Sequence, residues 1–157
     1  VIPFFLEQAS TGKLPITDFR MTRFMISLAD GIELVERAFV DMKGGEIYVN
    51  KIPSMKVIDL AKALVPDADL EEVGVRPGEK IHEQMIGIED ALNTYDYGSY
   101  FKIFPSTVSS DELTKLAEGG EKVPEGFSYC SDNNSEWMSS EELLNFVKAN
   151  RESFLKI

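Results

Sequence analysis

Short apolar segments alternate with turn residues along this chain, and their spacing switches between helical and extended periods. Val1 to Leu6 predicts a short helix after Pro3, ended by the polar run Gln8-Ala9-Ser10-Thr11-Gly12. Lys13-Leu14-Pro15-Ile16-Thr17-Asp18 is extended, and its proline suits an edge strand or a binding loop. Residues 19–26 continue extended with imperfect alternation. Ser27 followed by Asp30 predicts a helix N-cap with an acid in the first turn. Beyond it Leu28, Ile32, Val35, Phe39 and Met42 form a one-faced apolar stripe, and Gly44-Gly45 stops the helix.

Glu46 to Asn50 is a β-rich run directly after that stop. Ser54 is the expected N-cap of a second helix, with Val57, Leu60, Ala61 and Leu64 on its inner face. After the loop Pro66 to Asp69, a strand is expected from Leu70 to Val75, and a helix over Glu79 to Met85. Ile88 to Thr94 reads as a helix or an irregular arm, and Tyr100 to Phe104 as a strand closed by Pro105. Ser109 with Glu112, and Ser139 with Glu142, are capping-box patterns that open two more helices. The last of these is expected to bury Leu143, Phe146, Val147 and Phe154. Helices alternating with strands predict an α/β or α+β layered fold, as a single unit over residues 1–157.

Composition narrows the function classes. The 43% hydrophobic and 27% charged content is that of a folded globular domain. A net charge of −11 argues against general nucleic-acid or anionic-membrane binding, but not against a small anion held by a few aimed cations. One cysteine and one histidine make a structural zinc site unexpected, and the lone Cys130 favours a cytoplasmic setting. No apolar run approaches the ~20 residues of a membrane span. The apolar opening without an initiator methionine predicts that the chain is a fragment of a longer protein.

The stretch with the most chemical content is Val75-Arg76-Pro77-Gly78-Glu79-Lys80. Pro77 fixes its own φ and biases Arg76 to extended backbone, and Gly78 permits a sharp turn. Such a corner aims one guanidinium at a fixed point, which suits a phosphate. The competing reading is a surface turn in which Arg76 pairs with a carboxylate such as Glu79. Lys13, Arg20, Arg23, Arg76 and Lys80 make up a cationic set at loops and element ends. There is no G-x-G-x-x-G, no phosphate P-loop, no nucleophile elbow and no Tyr with a Lys four residues on. The chain therefore offers no residue set for hydride or proton transfer, and no catalytic residue is expected within it.

Ile16-Thr17-Asp18, Met21-Thr22-Arg23-Phe24, Gly44-Gly45-Glu46-Ile47-Tyr48-Val49, Lys51-Ile52-Pro53-Ser54-Met55-Lys56 and Val75 to Lys80 occur in order, followed by Tyr129-Cys130-Ser131 and Trp137-Met138-Ser139. With these motifs the chain resembles the C-terminal half of the UDP-N-acetylglucosamine 4,6-dehydratases, in the extended short-chain dehydrogenase/reductase superfamily. It is most similar to the inverting enzymes of the pseudaminic acid route to flagellin glycosylation. The resemblance implies the substrate-binding portion of an NAD(P)-binding Rossmann-like enzyme whose product is a 4-keto-6-deoxy UDP-sugar. It implies that Arg76 binds the UDP pyrophosphate, with Glu79 nearby on the ribose, and that Arg23 is a second pyrophosphate arginine. Val1, Lys13 and Leu14 would lie along the nucleotide-sugar, partly through backbone contacts. NADP and the catalytic residues belong, by the same resemblance, to an upstream Rossmann half, and the parent is expected to be a homo-oligomer. A UDP-sugar C4 epimerase of the same superfamily and a non-catalytic UDP-sugar-binding module are the alternatives.

Overall fold

The computed structural model describes residues 1–150. The expected burial of Phe154 falls outside the described residues. In chain order the first elements are α1 (Ile2–Gln8), β1 (Lys13–Ile16), β2 (Thr22–Phe24), α2 (Leu28–Asp41) and β3 (Ile47–Asn50). Then come β4 (Ser54–Lys56), α3 (Val57–Leu64), β5 (Asp69–Glu72), β6 (Gln84–Ile86) and β7 (Thr94–Asp96). The last are β8 (Tyr100–Ile103), α4 (Ser110–Leu116), β9 (Glu121–Lys122), β10 (Tyr129–Cys130) and α5 (Ser140–Ala149). The class is mixed α/β, with one parallel strand pair and several antiparallel ones. Contacts divide the chain into two units, one of residues Val1–Met25, Pro53–Glu83 and the described residues from Asn134, the other of Ile26–Ile52 and Gln84–Asn133.

The first unit holds the apolar core of α1, β1, β2, α3 and α5. Ile2, Phe5, Leu14, Ile16, Met21, Met55, Leu60 and Leu143 are buried in it. Each such side chain, fully removed from water, is worth roughly 1.5–3 kcal/mol before chain entropy is charged against it. Strand β1 runs parallel to β5, with Leu14 opposite Leu70 and Ile16 opposite Glu72. Strand β2 runs antiparallel to β4, with Arg23 opposite Met55. After β1 the chain turns at Asp18, whose carboxylate is gripped by Arg20 through Nε at 3.0 Å and Nη2 at 2.6 Å. Those hydrogen bonds, with a further one from the Arg20 backbone, hold the Asp18 carboxyl down at about 2. Arg20, one of the five candidate cations, is thereby committed to an internal pair.

The second unit is a four-stranded antiparallel sheet in the order β3-β8-β7-β9. Phe101 of β8 packs at 5.3 Å between centroids on both Phe127 and Tyr129. The Tyr129 hydroxyl closes this side by accepting from the Ile52 amide at 2.9 Å and donating to the Ile52 carbonyl at 3.0 Å. The opposite side is built from Tyr48, Tyr97, Tyr100 and Lys102. Tyr48 and Tyr97 each stack on Tyr100, at 5.8 and 5.3 Å. Buried Lys102 pairs with Asp41 of α2, and Arg37 of α2 lies 5.0 Å from the Tyr100 ring centre.

Helix α2 departs from the simple expectation of an apolar face against a core. Its cap forms as expected, with the Ser27 hydroxyl accepting from the Asp30 amide in a full capping box. Its stripe is left bare: Leu28 is 71% exposed and Phe39 85%, with Ile32, Val35 and Met42 also exposed. The helix meets the sheet through Arg37 and Asp41 because that sheet face is aromatic and cationic rather than aliphatic. Other boundaries shift for similar local reasons. Ser54 is not a helix cap but a buried residue of β4, where its hydroxyl accepts from Asn134 and its amide donates to the Glu136 carbonyl. Helix α3 starts at Val57 without a side-chain cap. Strand β5 ends at Glu72, and Glu79 to Met85 is not helical: it stays irregular up to β6.

Two outcomes follow from this packing. A Cβ on Gly120 would stand 2.6 Å from Tyr97 Cζ, and the ring is pinned by its stack on Tyr100. Gly120→Ala is expected to destabilise the protein by about 1–3 kcal/mol in urea denaturation, as overpacking does, whereas an unchanged midpoint would show that Tyr97 is free to move. Asp18 titrates lower in the folded than in the unfolded chain, so its contribution is present above about pH 4 and is lost as pH falls towards 2. In Arg20→Gln the Asp18 carboxyl carbon should titrate above about 2 and towards its ordinary value of 3.8 by NMR, the backbone bond from residue 20 remaining; an unmoved midpoint would remove the Arg20 side chain as the main cause.

Candidate substrate-binding site

The site is built on the first unit, where β1 and β2 present one end to an irregular segment, residues 73–83. The Val73 amide donates to the Ile16 carbonyl at 2.8 Å, which carries the chain on beside the end of β1. Arg76-Pro77-Gly78-Glu79 then forms a turn closed by the Glu79 amide donating to the Arg76 carbonyl at 3.0 Å. Gly78 has φ of +82°, so proline at the second position and glycine at the third follow the pattern of a type II turn. This is the rigid corner that the sequence predicts.

Arg76 is exposed, and its guanidinium makes no hydrogen bond or ion pair with any described residue. The pairing with Glu79 that a plain surface turn would show does not form. Instead the Glu79 carboxylate folds back over the turn: Oε2 accepts from the Arg76 amide and Oε1 from the Thr17 hydroxyl, each at 3.4 Å. The Glu79 carboxylate is thus oriented, and each oxygen keeps acceptor capacity to spare.

Arg76, Glu79 and Arg23 line one cavity of about 270 Å³ together with Val1, Phe4, Phe5, Pro15, Ile16, Thr17, Met21 and Val57. Apolar side chains and the polar groups of Thr17, Arg23, Arg76 and Glu79 share its lining, a mixture suited to a small polar molecule. Of the six residues expected from the sequence, four meet here: Val1, Arg23, Arg76 and Glu79. Lys13 and Leu14 do not line it. Leu14 is fully buried in the core, so only its backbone is available to a ligand, and Lys13 is an exposed residue at the start of β1. Thr17 was not anticipated as a site residue. Its signal was visible only in combination, as the polar residue directly after the buried Ile16 that ends β1.

Arg23 is occupied in a way that its sequence position did not suggest. Its Nη1 donates to the carbonyls of Thr22 at 2.7 Å and Ile81 at 2.9 Å, and its Nη2 to that of Lys80 at 2.9 Å. Nε lies 3.3 Å from Glu83. Beside it the Thr22 amide donates to the Ile81 carbonyl at 3.1 Å, and the Thr22 hydroxyl bonds His82 Nδ1 at 2.8 Å.

Among the described residues no group of His, Cys, Asp and Glu is arranged to hold a metal ion, and no helix is long and apolar enough to cross a membrane. A dinucleotide does not fit the residues present either. The chain has no glycine-rich turn to admit a pyrophosphate against backbone, and the glycines with positive φ are scattered singly apart from the adjacent Gly44 and Gly45.

Comparison with known proteins places the chain in a family. A family model described as polysaccharide biosynthesis protein matches residues 1–105. A UDP-N-acetylglucosamine 4,6-dehydratase (inverting) of Campylobacter jejuni is 49% identical over 154 residues, covering 94% of this chain and 46% of that protein. A UDP-glucose 4-epimerase of Rickettsia canadensis is 36% identical over 138 residues, covering 85% of this chain and 40% of that protein. The X-ray structure of Pen from Bacillus thuringiensis superposes with a TM-score of 0.79 at 28% identity, over 99% of this chain and 46% of that one. The chain spans about half the length of the curated relatives it matches. It belongs to the polysaccharide biosynthesis protein family, within the extended short-chain dehydrogenases/reductases.

Proposed function

We propose that this chain is the nucleotide-sugar-binding portion of an inverting UDP-N-acetylglucosamine 4,6-dehydratase. The observation that carries the proposal is the Arg76 guanidinium, without a partner among the described residues and carried on a Pro-Gly turn in the lining of a cavity of mixed polar and apolar character. A guanidinium with its donors free, carried on a constrained backbone turn, matches the oxygens of a diphosphate. Glu79, oriented by Thr17 and by the turn amide, is placed to accept a ribose hydroxyl. Val1 would lie along the nucleotide-sugar from the cavity wall, and Lys13 and Leu14 would add backbone contacts at the start of β1.

The parent is proposed to use NADP, which supplies hydride transfer when bound. The residues of this chain do not fit that group, so its binding is assigned to the part of the relatives' length without a counterpart here. The bare stripe of α2 supports the same division, because Leu28, Ile32, Val35 and Phe39 need an apolar cover that the second unit does not give them. We assign the parent to the cytoplasm, which the single cysteine favours, as a homo-oligomer making a 4-keto-6-deoxy UDP-sugar for surface or flagellin glycans through pseudaminic acid. The epimerase alternative rests on lower identity, 36% against 49%. Product analysis separates the two, since only a dehydratase yields a 6-deoxy-4-keto sugar.

Arg76→Ala in the natural polypeptide should weaken UDP binding by about 1.5–3 kcal/mol in a calorimetric titration, the worth of a charge-assisted hydrogen-bonded fork. Unchanged affinity would refute the phosphate role. The 157 residues alone should form no UDP-4-keto-6-deoxy sugar from UDP-N-acetylglucosamine, and detectable product by mass spectrometry would contradict the division of labour.

A further inference from the structure

Helix α2 is seated on its sheet by the less apolar of its two sides. Its half-buried positions Gly31, Leu34, Ala38 and Asp41 recur at helical spacing, while the larger side chains of the apolar stripe are left exposed. Burial of apolar area alone would seat the helix the other way round. A different interaction therefore selects the side.

The selecting contacts are polar and lie at the C-terminal end of α2. Asp41, the last residue of the helix, pairs with buried Lys102 of β8 and accepts from the Tyr48 hydroxyl at 2.7 Å. One turn earlier, Arg37 lies over the Tyr100 ring. Lys102 Nζ stands 4.5 Å from the Tyr97 ring centre and 5.2 Å from that of Tyr48, so its charge meets one carboxylate and two π-faces. Lys102 first, and then the Tyr48 hydroxyl, hold the Asp41 carboxyl below its ordinary value. The placement is costly in itself. An acid at a helix C-terminus opposes the helix dipole, and apolar residues of similar volume often stabilise as well as a buried ion pair does. What the pair supplies is direction, because turning α2 about its axis would leave Lys102 buried without its carboxylate.

We propose that Asp41 and Lys102 form a polar latch, closed by the Tyr48 hydroxyl, that fixes which side of α2 is seated on the sheet and so keeps the apolar stripe turned outward. The latch lies wholly within the second unit, and the proposal does not depend on the reading of the Arg76 cavity.

The test uses the natural polypeptide that carries these residues. A cysteine reporter is placed on the seated side of α2 by Ala38→Cys, and a control by Val123→Cys at a buried position elsewhere in the same unit. Thiol labelling is followed by mass spectrometry of the peptide that holds each reporter. The backgrounds are the unaltered latch, Asp41→Asn, and the double variant Asp41→Leu/Lys102→Met, which exchanges the pair for apolar residues of similar size. The double variant should label at position 38 about tenfold faster although it is more apolar, with labelling at position 123 unchanged. Asp41→Asn, which keeps the shape of the side chain, should label at position 38 about threefold faster. If apolar packing seats the helix, the double variant labels at the original rate or more slowly, and the proposal is overturned. Equal acceleration at both reporters would also overturn it, since that is loosening of the whole unit. If the double variant does not fold, Asp41→Asn decides, and unchanged labelling at position 38 then counts against the latch.

Discussion

The turn at Arg76-Pro77-Gly78-Glu79 is tied to the first unit by hydrogen bonds from its flanking residues to β1 and β2 and by Ile81 against the core. Residues 73–83 bury little: all from Val73 to Gly78 are exposed, and Glu79 is only partly covered. Packing reaches this segment only at Ile81, which rests against the apolar core. Directional bonds add to it, from Thr22 and Arg23 to the carbonyls of Lys80 and Ile81, and from the Val73 amide to Ile16. Those strands are in turn fixed by the apolar core beneath them, where Leu14, Ile16, Met21 and Met55 are buried. The order of dependence runs from core to strand, from strand to loop carbonyls, and from there to one free guanidinium.

The chemistry of the site reflects that hierarchy. Arg20 and Arg23 spend their donors within the protein, on Asp18 and on the loop, and Arg76 keeps its donors. In a chain of net charge −11 this selectivity matters more than the number of cations. An anion is attracted where positive charge is fixed and unspent, and repelled by the bulk of the surface.

Much of this was legible in the sequence. The Pro-Gly corner, the Ser27 and Ser139 caps, the inner face of α3 and the strand at Tyr100 follow from local rules, which depend on neighbours a few residues away. What was not legible depends on partners far along the chain. Ser54 looks like a helix cap until Asn134 and Glu136 are known to reach it. Glu79 to Met85 has helical spacing, but Thr22 and Arg23 capture its carbonyls instead. The stripe of α2 announces a buried face, and its spacing cannot say that the sheet beneath offers tyrosines and a lysine. Arg23 in sequence is one more strand-end cation, and only the geometry shows where its donors go.

A crystal structure of the natural polypeptide with UDP tests the central claim most directly. If Arg76 is the phosphate residue, oxygens of the diphosphate lie about 2.7–3.0 Å from its guanidinium, with the corner unmoved and the ribose beside Glu79. Diphosphate bound away from Arg76, or Arg76 left facing solvent in the complex, would contradict it.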